Sequence, residues 1–100
     1  MFPQTFERPK VVRLEQEHRL IHVRIGDLLM RQASSIIKSP AKSSREYAGR
    51  LSKACRTLLN AQTHYMEAGL GRMASVAAEC RHGLRGIEAR VRGDERQGGR

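Results

Sequence analysis

His18 and His22 stand four residues apart in a stretch that reads as helix. An i, i+4 pair of imidazoles shares one helix face and can chelate a metal ion. Glu15 and Glu17 lie close by, but no third ligand has a helical spacing that would bring it to the pair. The expectation is therefore no metal and no cofactor, with one histidine on an apolar edge and the other at the surface. Cys55 and Cys80 belong to no CxxC pair, which removes the usual zinc framework. In one straight helix they would lie about 37 Å apart, too far for an intrachain disulfide. Both read as small buried hydrophobes in a reducing compartment. If two long helices crossed antiparallel near Gly69, Cys55 of one chain would fall beside Cys80 of the other.

Nucleophilic chemistry finds no support. Ser34, Ser35, Ser39, Ser43 and Ser44 sit where capping and linker roles account for them. Gly69-Leu70-Gly71 lacks the strand-turn-helix setting of a phosphate loop. The chain is not expected to be an enzyme. Charge is the stronger signal: 19 Lys and Arg against 10 Asp and Glu give a net +9, which suits anionic partners. Lys38 to Arg56 concentrates it, with six basic residues and the single acid Glu46. Lys42, Arg45, Lys53 and Arg56 fall within about 80° on a helix, a possible nucleic-acid contact strip near a helix N-terminus. Base reading is not visible, because neither a helix-turn-helix turn nor interleaved aromatics are present.

These residues need elements to hold them. Aromatics are few (Phe2, Phe6, Tyr47 and Tyr65, with no Trp) and Pro occurs only at 3, 9 and 40. The apolar residues are mostly helix-compatible, so the chain reads as all-α. Residues 1–10 are expected to form an extended arm, because Pro3 and Pro9 disfavour helix. The first helix is placed at 11–38. Leu14, His18, Ile21, Ile25, Leu28, Gln32 and Ile36 make one face, and Leu20, Val23, Met30 and Ile37 lie on roughly the opposite side. A helix apolar on two sides needs cover on both. Ser39-Pro40 ends it, and Ser43 to Glu46 matches a capping box that starts the next.

The second helix is placed at 44–92, with a disordered tail at 93–100 after Gly93. Tyr47, Leu51, Cys55, Leu58 and Tyr65 share a sector of about 100°, and Met73, Val76, Cys80, Leu84, Ile87 and Val91 continue in it without a reset. That phase favours one continuous helix through Gly69 and Gly71, even though two mid-helix glycines cost about 2 kcal/mol. The rival is a three-helix bundle broken there. Continuity implies roughly 70 Å of helix against roughly 40 Å in the first, so the uncovered stripe would meet a second copy. Glycine would then serve close approach by that copy, and Gly69→Leu would disrupt association more than Gly71→Leu.

The resulting expectation is a single all-α domain, a helical hairpin that dimerises. Its function would be a small regulatory interaction protein, for example one sequestering a transcription factor as an antiactivator does. Its dimer or partner interface would draw on Leu20, Val23, Met30, Leu51, Leu58, Tyr65, Gly69, Met73, Val76, Leu84 and Ile87, with Arg24, Arg31, Arg72 and Arg90 setting specificity. The alternative is a basic DNA- or RNA-binding module using Lys38 to Arg56. No secretory leader and no membrane span are seen, which makes the cytoplasm the expected location.

Overall fold

The computed structural model describes the backbone of residues 4–98 and the side chains of residues 12–94. Three helices follow in order: α1 (Gln4–Lys38), α2 (Ser44–Glu67) and α3 (Gly71–Gly98). No strand occurs among the described residues. The all-α hairpin expectation holds, and α3 returns along α2 as a third rod.

The start of α2 is specified as its residues suggest. Ser43 has extended backbone (φ −150, ψ 163) and its hydroxyl accepts from the Glu46 amide at 3.1 Å. The Glu46 carboxylate accepts from the Lys42 amide at 3.1 Å, one residue earlier than a standard capping box, and from Arg50 Nη2 at 2.6 Å. The Arg50 bond, followed by the Lys42 amide, holds the Glu46 carboxyl below its ordinary range.

The expected continuous helix over 44–92 is corrected by the turn after α2. Gly69 has φ +75, the left-handed region. Its amide donates to the Met66 carbonyl at 3.0 Å, and the Leu70 amide donates to the Tyr65 carbonyl at 2.9 Å. This pair of bonds is a Schellman motif, which satisfies the carbonyls a helix end leaves open. One glycine and two backbone bonds suffice to end α2. The preserved phase comes from two separate helices that each turn one sector toward a neighbour. Within the chain a Cβ built at Gly69 meets nothing within 4 Å, so it is the left-handed backbone that calls for glycine in this turn. Gly69→Ala is expected to cost about 1–2 kcal/mol, the penalty of a left-handed non-glycine residue. Gly71→Ala, inside α3 with open space around it, should be neutral or stabilising by up to about 1 kcal/mol. Thermal denaturation of the two variants checks the contrast, and equal losses would count against this turn.

Both ends are more helical than expected. Helix α1 begins at Gln4 instead of Val11, and residues 1–3 of the expected arm lie outside the described residues. Pro9 removes one N–H bond, but its fixed φ is itself helical, and Gln4, Glu7, Arg8 and Lys10 are good helix formers. Helix α3 continues past Arg92 to Gly98. Gly93 keeps helical backbone, and Glu95, Arg96 and Gln97 support it; residues 99–100 of the expected tail lie outside the described residues.

Helix α2 is central. It packs against α1 on one side and α3 on the other, while α1 and α3 approach each other only marginally. The Cα envelope is long and flat, 79 × 19 × 14 Å. Small residues allow the close spacing: Ala48, Ala54 and Ala61 on α2, Ala33 on α1, and Ala74 and Ala77 on α3 are all buried. Leu51 and Tyr65 are the largest fully buried side chains. Helix α1 has 35 residues against 24 in α2, so at 1.5 Å per residue it is roughly 16 Å longer. Its N-terminal part runs past the end of α2, and every residue from 12 to 21 is exposed.

Candidate interaction groove

The residues that close the α1–α2 seam also decide what α1 leaves open. Tyr65 lies flat against the α1 backbone at Gly26, where an added Cβ would come within 2.8 Å of its ring. The Tyr65 hydroxyl donates to Asp27 Oδ1 at 2.6 Å. Burial, and then the Asp27 carboxylate, push this phenol up to about 12. One turn away, His22 joins two partners: its Nδ1 lies 2.8 Å from His64 Nδ1, and its Nε2 lies 3.2 Å from His18 Nε2. The i, i+4 histidines therefore form part of a hydrogen-bonded relay that ties α1 to α2. Among the described residues, no group of three or more His, Cys, Asp or Glu could hold a metal ion.

Because α1 and α3 flank α2 without closing on each other, an apolar groove of about 440 Å³ runs between them. Met30, Ala33, Ser34 and Ile37 form its α1 wall, at spacings that place them on one helix face. Cys80, Gly83, Leu84 and Ile87 form the α3 wall on the same repeat. Leu58 of α2 is the floor, and Arg90 stands at one end. Of the residues expected at an interface, Met30, Leu58, Leu84 and Ile87 meet here. Leu51 and Tyr65 do not, because they are already buried within the chain. Leu20, Met73 and Val76 are exposed and Val23 is half-buried, all outside the groove lining. Gly69 belongs to the turn.

The thiols separate. Cys55 is buried, and its Sγ lies 3.7 Å from the Arg81 carbonyl. Cys80 is exposed on the groove wall, contrary to the expectation of two buried thiols. Desolvation, then the Glu88 charge, push the Cys55 thiol above its ordinary value, which disfavours the reactive thiolate.

A second recess, about 260 Å³, opens between α2 and α3. Ser52, Arg56 and Leu59 line it from α2, and Arg81, Arg85 and Glu88 from α3, with Cys55 between them. The basic strip residues Lys42, Arg45, Lys53 and Arg56 are all exposed. Of these four, Arg56 alone lines the recess.

Sequence reasoning missed Gly26, His64 and the Arg81–Arg85 pair. Gly26 carries a signal, since a glycine in mid-helix costs stability unless something needs the space. Nothing in spacing could have paired His64 with His22, which are 42 residues apart. Comparison with protein-family models, with curated proteins and with solved structures finds no match.

Proposed function

We propose that this chain is a small, non-enzymatic regulatory protein that acts as a homodimer and holds a helix of a partner protein in the α1–α3 groove. The groove carries this reading. Two helices line it at i, i+3, i+4 and i+7 spacing, chiefly with the apolar side chains of Met30, Ala33, Ile37, Leu84 and Ile87, over an apolar floor, the geometry that accepts an amphipathic helix. Arg90 at the groove end and the net charge of +9 favour an occupant with acidic flanks. A transcription factor held in this way is one use of such a surface, by analogy of architecture.

The dimer is supported by exposed surface. The chain exposes 7704 Å², roughly 2,000 Å² more than a compact monomer of this mass. A standard interface buries about 800 Å² per partner. Leu14, Ile21 and Leu28 are 59%, 54% and 60% exposed and recur every seven residues, the spacing of a coiled-coil seam.

The test uses a synthetic amphipathic peptide with Leu on one face and Glu on its flanks. Fluorescence anisotropy should show binding that Leu84→Glu or Ile87→Glu weakens by at least about tenfold, as expected when a charge enters an apolar site. Circular dichroism confirms that the variants remain helical. Equal binding by wild type and both variants would exclude the groove. The dimer is read separately, by light scattering of wild type and Ile21→Glu.

A further inference from the structure

The recess between α2 and α3 holds an arrangement that the groove does not use. Arg56, Arg81 and Arg85 all line it. None of the three forms an ion pair among the described residues. The recess contains one carboxylate, Glu88, which is already engaged by Arg92 at 2.9 Å. Three guanidinium charges thus face a shared space with no free counter-charge. Like charges brought together cost free energy that an anion would return.

A second, independent observation points the same way. Arg81 Nε is buried and has no hydrogen-bond acceptor. A buried donor left unsatisfied is costly, and such a group in a folded protein calls for a partner. Arg81 lines the recess beside Arg56, Arg85 and Ser52, and the donors gathered there suit an anionic partner. Guanidinium forks match the oxygens of a tetrahedral oxyanion, and several together suit a dianion. The exposed Leu59 at the edge gives no such preference and leaves the mouth accessible to a substituent.

We infer that the α2–α3 recess binds a phosphate dianion, through Arg56, Arg81 and Arg85 with Ser52 as an added donor. The ligand is either free phosphate or the terminal group of a phosphomonoester. A phosphodiester backbone carries one charge per phosphate and would sit along the exposed strip of α2 instead of inside the recess.

Phosphate, a nucleoside 5′-monophosphate and short duplex DNA are titrated against the intact protein at constant ionic strength. NMR shifts report the site and thermal melting reports stabilisation. Phosphate is expected to perturb amides around 52–59 and 81–88 and to raise Tm, with chloride at equal ionic strength inactive. Tighter binding of the monophosphate than of phosphate assigns the phosphomonoester as the source, and equal or weaker binding assigns free phosphate. Arg81→Lys keeps the charge but loses the planar guanidinium fork, and should weaken phosphate binding about tenfold. Arg85→Gln should weaken phosphate binding while raising Tm without phosphate, because it relieves repulsion. Loss of a merely structural arginine would instead lower Tm. Arg45→Gln, on the exposed strip, should leave phosphate binding unchanged. No phosphate effect up to roughly 10 mM, an equal effect of chloride, or full binding by Arg81→Lys and Arg85→Gln would overturn the site. DNA binding that is lost in Arg45→Gln but kept in Arg85→Gln, with no phosphate effect, would also overturn it in favour of the strip.

Discussion

Tyr65→Ala is expected to cost about 3–5 kcal/mol, the range for removing a large buried aromatic, and so to consume a large share of a small domain's stability. The side chain is 1% exposed, joins Ala61, Ala74 and Ala77 in one buried cluster, and fixes the register of α1 against α2. Gly26 is its counterpart. A Cβ there would stand 2.8, 2.9 and 3.0 Å from three ring carbons, and the bond from the hydroxyl to Asp27 keeps the ring from sliding aside. Gly26→Ala should therefore cost about 1–3 kcal/mol, as overpacking does, although alanine alone favours helix by about 1 kcal/mol. The coupling is the decisive measurement. In the Tyr65→Ala background the ring is gone, and Gly26→Ala should become neutral or stabilising. Urea titration reads all four proteins, with a shift of midpoint at constant slope. Additive losses would mean that Gly26 matters for some reason other than the ring. The same pair shapes alkaline behaviour. The folded phenol titrates at about 12 against an ordinary 10.0. Its contribution is complete below pH 10 and is lost as the pH rises toward 12.

Leu58→Ala is expected to cost about 2–5 kcal/mol. Leu58 is 3% exposed, lies in a buried cluster with Ala33 and Ala54, and has Met30, Ile36, Ile37 and Leu84 packed around it. The buried alanines beside it carry only a methyl group and cannot reach into the void, which leaves relaxation to the half-buried side chains around them. Leu59, the next residue, is 44% exposed, and Leu59→Ala should stay within about 0.5 kcal/mol. The contrast between adjacent leucines is read by chemical denaturation, and a similar loss at both would refute the central placement of α2. Since Leu58 floors the groove, its truncation should also weaken the peptide of the groove test in a protein that is still folded.

Much of this fold was legible because local chemistry set it. The Ser43 cap, the stop at Ser39-Pro40 and the single apolar sector of α2 each depend on residues a few positions apart, and α2 begins where they place it. The turn at Gly69 was misread because a Schellman motif is made of backbone bonds and leaves one glycine as its trace in sequence. Phase counting then gave two helices the look of one. The interface residues divide for a related reason. Periodicity reports that Leu51, Tyr65, Leu84 and Ile87 face a neighbour, but it does not say whether the neighbour is in the same chain. Leu51 and Tyr65 are buried within the chain, whereas Leu84 and Ile87 line an open groove. The two faces read on α1 are matched only in part: Met30 and Ile37 pack inward, but so does Ile36 of the other face, and Leu20 is exposed together with Leu14, Ile21 and Leu28. Gly26 and His64 depend on contacts some 40 residues apart along the chain, which no local pattern encodes.

Helix α2 touches both neighbours while they barely touch each other, and this has a kinetic consequence. Both substantial helix pairings among the described residues join elements that are consecutive in the chain. Helical topologies of this kind sit at the fast end of the folding spectrum. Either hairpin, α1–α2 or α2–α3, can close without waiting for the third helix, so assembly has two entry points. The helix common to both routes is α2, and substitutions at its centre should slow folding more than they speed unfolding.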